Sequence, residues 1–512
     1  MILAPCAQPG KPDLLATLAD DLRDSARLAA QTATSLDTFE RNVLRQVLAM
    51  GHAAVDLFLK SQGNGDLGPT VTTAAATLLL RSPTPQTHRL RTLFGEHFYE
   101  AFVYSRGPKR TIELRSLDAR LNRPDGIASY LLEEFTQLFC VEKAFGVAAK
   151  QFEKLFGPKL SVAVLEDINR AMGTQAETFL ETHLPTPEAD EEGELLVLTA
   201  DGKGVPLVTE DAQRVPAFDK KERPGNRRMA TLGCLYSVDR FVRTPEQIVA
   251  ALFRDATVKQ PKEPRPKPVF QQYRSHFAFQ DPGEEPIPGA MLTWSWLASE
   301  TAKRHRPKQP IVRLMDGSPT LWDSANAGLQ EFLDERRAAK KPATVVDILD
   351  ILHVSSYVWQ AAKVFHLHRE SQEAFAADRL LQILRGGVKS VIASLRRRAT
   401  VSGLKGADAK VIATVCGYFE NNAERMRYDV YLAAGYPIAT GVIEGACRHV
   451  IKDRMEQGGM RWTLKGAEAM LNLRAVNASD ASEVFHAWRQ TEGAERVHPH
   501  RQLVENYAGF QA

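Results

Sequence analysis

Residues 195–204 read LLVLTADGKG, a short apolar run that ends at Asp201 with glycine behind it. Residues 310–317 read PIVRLMDG and show the same arrangement around Asp316. A short apolar run closed by a turn residue is typical of a strand that is buried on both faces. We therefore predict two buried strands, each ending in an aspartate that is followed by glycine.

The residues around these strands predict an α/β core. Residues 229–238 and 343–351 are further strand-like runs. Downstream of the second aspartate, Ser318 is a good N-cap and Pro319 a good first helical residue, which predicts a helix to about Arg337. Strands that alternate with helices in this way indicate an α/β fold.

The chain has 512 residues, which is too long for one ordinary core. An acidic, proline-containing stretch at 184–194 is typical of an exposed linker, and the basic, proline-rich residues 257–274 predict an exposed loop. We predict a mostly helical N-terminal region with a small hairpin at 1–140, a helix-turn-helix and linker at 141–190, the first part of the core at 191–353, a helical insertion at 354–436, the last part of the core at 437–480, and a polar tail at 481–512.

The N-terminal region has features of a DNA-binding segment. Apolar residues at helical spacing predict a helix over 37–61, and aromatic residues interleaved with glycine predict a hairpin or small sheet over 89–115. Residues 141–176 predict two helices separated by Gly157-Pro158, with Ser161 able to cap the second. This spacing fits a helix-turn-helix that reads DNA; two packed helices without a DNA role are the alternative.

Composition limits the class of protein. Hydrophobic residues make up 44% and charged residues 25%, which is the profile of a globular protein. We find no apolar run long enough to cross a membrane and no secretory signal in the first 13 residues. The five cysteines are widely spaced and form no C-x-x-C pair, which fits a reducing compartment. We therefore expect a cytoplasmic, nucleoid-associated protein. The net charge is only +3, but basic residues cluster at 219–228, 258–274, 303–308 and 396–398.

A third acidic residue, Glu444, lies on a helix predicted from about Gly441 to Met455. Its apolar face recurs at i, i+4 and i+7, and the adjacent seam at i, i+4 and i+8 is charged. The apolar face consists of Ile443, Cys447 and Val450, and the seam of Glu444, Arg448 and Lys452. If the apolar face packs on the sheet, Glu444 points along its edge and the two cations can meet phosphates.

Three carboxylates of this kind suit phosphodiester chemistry. Ligands gather at the carboxyl ends of strands in an α/β sheet, and carboxylate oxygens are the ligands that Mg²⁺ prefers. Two Mg²⁺ ions about 3.5–4 Å apart activate a nucleophile and stabilise a leaving oxygen. Taken alone the pattern leaves alternatives, because an Asp-Gly pair can be a simple turn and Glu444 can be an ion-pair partner of Arg448.

The stretches around the three acids resemble motifs of bacterial insertion-sequence transposases of the ISKra group. LTADGKGVPL at 198–207 resembles the first acidic motif, RLMDGSPTLW at 313–322 the second, and GYPIATGVIEGACRHVIKDRMEQGGMRW at 435–462 the third. DILDILHVSSYVWQAA at 347–362 resembles the Asp-x-x-His segment of the family, carried by Asp350 and His353. The resemblance covers roughly residues 190–475.

This resemblance implies a DDE transposase with an RNase H-like mixed sheet, interrupted by a helical insertion. It implies Mg²⁺-dependent cleavage of DNA at the ends of the element and strand transfer into target DNA. Relatives often carry cysteine pairs near the hairpin, but VYSRGPK at 103–109 has none, so we expect no zinc ion.

The residues expected to act are these. We expect Asp201, Asp316 and Glu444 to be catalytic and to bind two Mg²⁺ ions, for which Mn²⁺ can substitute, with Asp350 as the alternative second acid. We expect contacts to double-stranded DNA from Lys203, Arg448, Lys452, Arg461 and Trp462.

Arg461 and Trp462 can clamp or stack on a splayed nucleotide; a core tryptophan beside a surface arginine is the alternative. Because two DNA ends must be joined, we expect a homodimer or larger assembly on DNA. The alternative function is a catalytically inactive or regulatory DNA-binding relative. An unrelated enzyme with paired carboxylates, such as a glycoside hydrolase, is disfavoured because few aromatic residues flank the acids.

Overall fold

A computed structural model describes residues 14–216, 225–259 and 263–507. The first 13 residues and most of the basic cluster at 219–228 lie outside these ranges. The chain forms two compact units, Met1–Gln175 with Ser482–Ala512, and Ala176–Ala481. The division falls inside a helix, and the C-terminal residues group with the N-terminal unit.

The helices and strands of the first unit run in the order α1 (Leu14–Gln31), α2 (Leu36–Lys60), β1 (Thr70–Thr72), β2 (Leu78–Arg81), β3 (Gln86–Thr92), β4 (Gly95–Ala101), β5 (Val103–Ser105), β6 (Ile112–Arg115), α3 (Ser116–Arg120), α4 (Tyr130–Cys140), α5 (Phe145–Phe156) and α6 (Val162–Thr182), which continues into the second unit, with α19 (Ser482–Val497) and a 3₁₀ turn (Arg501–Val504) near the C-terminus.

Those of the second unit are β7 (Leu195–Pro206), α7 (Thr209–Arg214), β8 (Arg227–Val238), α8 (Pro245–Phe253), β9 (Val269–Phe277), α9 (Gly289–Arg304), β10 (Ile311–Met315), α10 (Pro319–Ala338), β11 (Val345–Leu349), α11 (Ile351–Phe365), α12 (Arg369–Leu384), α13 (Val388–Val401), α14 (Gly406–Asn421), a 3₁₀ turn (Ala423–Arg425), α15 (Tyr428–Ala433), α16 (Gly441–Ala446), a π-helical stretch (Cys447–Lys452), α17 (Asp453–Met455), a 3₁₀ turn (Gln457–Gly459) and α18 (Leu464–Ala478).

The first unit confirms the predicted hairpin and helices. Strands β3 and β4 form an antiparallel hairpin, and β1, β2, β5 and β6 form a separate four-stranded sheet. Helix α5 ends before Gly157, whose φ of 91° is left-handed, and the Ser161 hydroxyl accepts a hydrogen bond from the Val164 N–H at 3.3 Å. The end of α5 and the start of α6 are thus set by the residues that the sequence indicated, while a DNA role for these two helices stays a prediction.

The second unit is built on a five-stranded mixed sheet with the order β11-β10-β7-β8-β9. Strands β7, β8 and β9 are antiparallel neighbours, whereas β10 and β11 run parallel to β7. The predicted strands at 229–238, 310–315 and 343–351 are β8, β10 and β11. Every residue of β10 is buried, which confirms the apolar-run interpretation.

Two strand predictions are wrong in their limits. Strand β7 does not end at Asp201 but continues to Pro206, because β8 pairs with it through Pro206↔Arg227. Residues 269–274 are not loop, since they form the first part of β9. Their polar side chains concealed this strand, and buried Arg274 is held there by Asn472 Oδ1 at 2.6 Å.

The predicted linker at 184–194 is not wholly exposed. Glu192 is buried and forms a two-pronged ion pair with the Arg304 guanidinium, with N–O distances of 2.7 and 2.9 Å. Arg304 also donates to the Phe270 carbonyl at 2.8 Å and to Gln272 Oε1 at 2.9 Å. This pairing satisfies both buried charges and ties the stretch before β7 to α9 and β9.

Helices cover both faces of the sheet and one of its edges. A Cβ atom on Gly233 of β8 would lie 2.6 Å from Thr293 of α9, so α9 packs closely on that face. The opposite face is covered by α16 and the π-helical stretch, which contact β7. At the outer edge, the Tyr273 N–H of β9 donates to the Ser479 hydroxyl after α18, so this edge is not open to another strand.

The remaining helices complete the second unit and correct the tail. Helices α11–α15 occupy the predicted insertion between β11 and the helix that carries Glu444. The residues after 480 are not an irregular tail, because α19 spans Ser482–Val497 and buries Phe485 and Arg489. Among the described residues, no helix combines the length and the apolar character that crossing a bilayer requires.

Candidate carboxylate site

Strand register places three aspartates level with one another. In the parallel pair β7–β10, the last partners are Arg313 and Leu198, and three residues further along each strand are Asp316 and Asp201. In the pair β10–β11 the last partners are Met315 and Leu349, and the next residues are Asp316 and Asp350. The sheet itself therefore aligns the acids of three adjacent strands.

Glu444 reaches these three aspartates from α16, which packs on the sheet. Side chains alternate between faces along β7, so Asp201 points away from the face on which Ala200 and its partner Gly233 meet α9. Cys447 lies against Asp201, and burial raises the pKa of its thiol, with a further rise from the charge of Asp201. Glu444 is one helical turn before Cys447, so the helix brings its carboxylate to the same face.

Asp350 is fully buried and acts as the N-cap of α11. Its Oδ1 accepts hydrogen bonds from the Leu352 N–H at 3.1 Å and the Thr440 N–H at 3.1 Å. Its Oδ2 accepts from the His353 N–H at 3.2 Å and contacts His353 Nδ1 at 2.8 Å. Both oxygens are thus engaged by neighbouring groups, and one of these bonds connects α11 to the segment before Glu444.

His353 and Thr440 link the acids to one another. Ligand-type atoms of Asp350, His353 and Glu444 all lie within 4.8 Å of one another, an arrangement able to hold a metal ion. The hydrogen bond to Asp350 raises the pKa of His353 to about 8. The Thr440 hydroxyl donates to Glu444 Oε1 at 3.4 Å while its N–H bonds to Asp350.

The electrostatics of the site favour a cation. Burial raises the pKa of Asp316 above its usual range, and the charges of Asp201 and Asp350 raise it further. Partial burial and the charge of Asp350 raise the pKa of Glu444 in the same direction. Carboxylates that raise one another's pKa gain when a positive ion sits between them. The donor set of carboxylate oxygens suits a hard divalent ion such as Mg²⁺.

Gly317 makes room for a side chain from a neighbouring helix at the end of β10. Its φ is not left-handed; instead, a Cβ atom there would collide with the Tyr418 ring. Tyr418 stacks on Tyr357 with ring centroids 3.9 Å apart. Glycine is needed because α14 approaches the end of β10, and no local sequence signal could have shown this approach.

The cations expected to contact DNA are distributed around the site. Arg448 and Lys452 lie on the exposed side of the π-helical stretch, and the Arg448 side chain is 79% exposed. Lys203 is half-buried on β7, and its charge is close enough to Cys447 to offset part of the rise in the pKa of that thiol. Arg461 is exposed. All four side chains are at least partly exposed to solvent, and their contact with DNA stays a prediction.

Trp462 has a structural position. It is only 7% exposed, its indole N–H donates to the Met455 carbonyl at 3.1 Å, and the Arg454 guanidinium stacks over its ring at 4.8 Å. Its backbone pairs with the end of β7, accepting from the Val208 N–H at 2.8 Å. The ring is therefore enclosed by protein and is not presented to a nucleotide.

The fold and site define a class: an α/β protein with a mixed sheet that brings together Asp201 within β7, Asp316 and Asp350 directly after the parallel strands β10 and β11, and Glu444 on α16. Sequence reasoning named all four and His353, but it did not single out Thr440, whose contribution depends on a backbone N–H.

Comparisons with known proteins add little to this class. No protein-family model matches the chain, and no curated protein matches it. Among solved structures, the chain is similar to the Drosophila P element transposase strand transfer complex, with 11% sequence identity over 73% of this chain and 83% of that chain, and a TM-score of 0.22. A TM-score of this size does not establish a common fold, so the family resemblance of the motifs stays a prediction.

Proposed function

We propose that the chain is a DDE transposase that cleaves DNA at the ends of an insertion sequence and transfers the strand into target DNA. The observation that carries the proposal is that Asp201 of β7 and Asp316 after β10 are in register on neighbouring strands, and that burial and nearby charges, including that of Asp201, raise the pKa of both Asp316 and Glu444. Acids separated by more than 100 residues in the sequence converge at the place where α/β sheets bind ligands.

The architecture supports an RNase H-like interpretation of the core. A mixed sheet, a helix bearing the third acid, and a helical segment inserted between β11 and that helix are the features that the motif resemblance implies.

Asp316 is the better candidate than Asp350 for the second metal-binding acid. The two oxygens of buried Asp350 accept four hydrogen bonds from the protein, as expected of a residue that positions its neighbours. Asp316 is half-buried, with the Ser318 N–H at 3.0 Å from Oδ1. We assign Asp350 the role of fixing His353 and Thr440, and through Thr440 the carboxylate of Glu444.

Asp201, Asp316 and Glu444 would hold two Mg²⁺ ions, or Mn²⁺ in their place. When bound, such ions supply Lewis-acid activation of the attacking oxygen and stabilisation of the leaving oxygen. The chain's own contribution is to orient the carboxylates and to bind the DNA backbone through Lys203, Arg448, Lys452 and Arg461. DNA affinity should then fall steeply with salt concentration, because each phosphate contact releases counterions.

The test uses the full chain and duplex DNA from the regions that flank its reading frame. We expect cleavage with Mg²⁺, none with EDTA, and a loss of at least about 100-fold for Asp201→Asn, Asp316→Asn and Glu444→Gln. Asp281→Asn, at an exposed position outside the site, is the matched control and should cleave like the wild type.

The alternative is a catalytically inactive DNA-binding relative. It predicts DNA binding without cleavage in Mg²⁺ or Mn²⁺. Cleavage by Asp201→Asn at the wild-type rate would instead show that the assigned site is wrong. If two DNA ends are joined, the protein–DNA complex should contain at least two protomers, which sedimentation of the complex measures.

A further inference from the structure

A cavity of about 500 Å³ lies beside α16, between the ends of β8 and β9 and the segment that precedes Glu444. It is within the size range of pockets that hold small organic ligands. Its walls combine three basic side chains, Arg243, Arg265 and Lys267, with aromatic rings. None of the residues proposed above for catalysis lines it, so the cavity is separate from the carboxylate cluster.

The basic side chains form an anion-binding wall. Arg243 is anchored by the Phe241 carbonyl at 3.2 Å and the Tyr436 carbonyl at 2.5 Å, both neutral acceptors. Burial and the nearby charge of Arg265 lower the pKa of Arg243 to about 10. Within the described ranges, Arg243, Arg265 and Lys267 form no ion pair. The carboxylate in the lining is that of Asp239, and it accepts the Glu194 N–H at 3.2 Å.

The aromatic side chains form an apolar part of the same cavity. Phe241 is half-buried and is the aromatic ring of the lining that a ligand can reach, whereas Tyr236 and Tyr273 are each only 2% exposed and are almost wholly covered by protein. The Arg243 guanidinium lies 5.8 Å from the centroid of the Phe241 ring. Aromatic and guanidinium planes of this kind stack with bases without regard to sequence.

Two glycines keep the remaining wall open. Gly441 and Gly445 are four residues apart on α16, and both line the cavity. A Cβ atom at either would meet no atom within 4 Å. Glycine inside a helix costs about 1 kcal/mol relative to alanine, and packing within the described chain does not require it here. The glycines leave space that a bound group can fill.

We propose that this cavity binds one unpaired nucleotide of a DNA strand, with its base against the Phe241 ring and its phosphate on the basic wall. The inference rests on the proposed function, since it supposes a DNA strand at the carboxylates. Gly445 directly follows Glu444, so a strand that crosses the metal site can place a neighbouring nucleotide in the cavity. Enzymes that act on a base extrude it from the duplex into a pocket, which shows that a pocket of a protein can hold a single unpaired nucleotide.

The test measures binding of a short single-stranded oligonucleotide that contains 2-aminopurine to the full chain in EDTA, so that cleavage plays no part. We expect Arg265→Ala/Lys267→Ala to weaken binding at least tenfold and to abolish the 2-aminopurine quenching. Lys363→Ala/Lys389→Ala removes two exposed lysines from α11 and α13 and is the charge-matched control. It should bind within twofold of the wild type.

A second variant tests the cavity by its volume. Gly441→Leu should fold normally, as circular dichroism checks, because the space beside it is empty, and it should reduce quenching by filling the cavity. Unchanged quenching in both variants would overturn the proposal. Equal binding of free deoxyadenosine monophosphate and the oligonucleotide would overturn the assignment to a DNA strand. If Asp201→Asn abolishes cleavage but retains quenching, both the proposed function and the nucleotide site are supported. If Asp201→Asn cleaves like the wild type, the proposed function is refuted and the nucleotide site is not.

Discussion

Two neighbouring aspartates should respond to mutation with opposite changes in stability. Asp350 and Asp316 end adjacent parallel strands, but Asp350 receives four hydrogen bonds and Asp316 lies among other carboxylates. We predict that Asp350→Ala destabilises the metal-free protein, while Asp316→Asn leaves its stability unchanged or raises it.

The magnitude for Asp350→Ala follows from the contacts it removes. Loss of the N-cap of α11 costs about 1 kcal/mol. The buried Thr440 N–H loses its acceptor, and an unsatisfied buried donor costs about 1–3 kcal/mol. Removal of one negative charge from the cluster offsets part of this cost. We therefore expect a decrease of roughly 2 kcal/mol in the free energy of unfolding.

The sign for Asp316→Asn comes from its raised pKa. A carboxylate whose pKa is raised on folding is less stable in its ionised form in the native state than in the unfolded chain. Asparagine removes that charge and retains the shape, so the metal-free protein should not lose stability. Added Mn²⁺ should stabilise the wild type but not Asp316→Asn, because a ligand that binds only the native state raises its stability.

Urea unfolding in EDTA, followed by tryptophan fluorescence, measures both changes. Of the six tryptophans, Trp294, Trp296, Trp322, Trp359 and Trp462 belong to the unit Ala176–Ala481, so the signal reports mainly on the unit that contains the site. The midpoint should shift without a change in the dependence on urea. Asp350→Ala with wild-type stability, or an Asp316→Asn protein less stable than Asp350→Ala, would refute the roles assigned to the two residues.

Three further predictions follow from other contacts. Glu192→Ala should lower the free energy of unfolding by about 3–5 kcal/mol, because it leaves the buried Arg304 guanidinium without its charge partner. Urea unfolding measures this change, and a decrease below about 1 kcal/mol would contradict the prediction. His353, whose pKa is raised to about 8, contributes stability that is fully present below about pH 6.5 and is lost as the pH rises through 8. The effect should be at most about 1 kcal/mol, because the ring is partly exposed. When the free energy of unfolding is measured against pH in EDTA, His353→Gln should remove this decrease. Arg461→Ala should weaken DNA affinity in binding titrations and reduce its salt dependence, while folding stays unchanged. Trp462→Ala should lower the free energy of unfolding by about 3–5 kcal/mol, because the ring is buried. Weaker DNA binding by Trp462→Ala with unchanged stability would instead show that the tryptophan contacts DNA.

Most strands of the second unit could be predicted because their own side chains form recognisable apolar runs. Apolar runs identified β7, β10 and β11, and turn residues marked the start of α10. Strand β9 was missed because its polar residues, including Arg274, are satisfied by partners distant in sequence. Helix α19 was missed for a similar reason, since buried Arg489 bonds to Glu133, which lies far away along the chain.

The sequence alone determined which residue types are available to bind a metal ion: three or four carboxylates after apolar runs and on a helix, with cations one and two turns beyond Glu444. It could not determine that Asp201, Asp316 and Asp350 stand level, because that depends on the register between strands, which is fixed by the packing of the whole sheet. Tertiary structure also separated the buried, hydrogen-bonded Asp350 from the half-buried Asp316, and enclosed Trp462. These distinctions depend on burial and on backbone donors such as the Thr440 N–H. A backbone N–H is the same group in nearly every residue, so its partner is decided only when the chain folds.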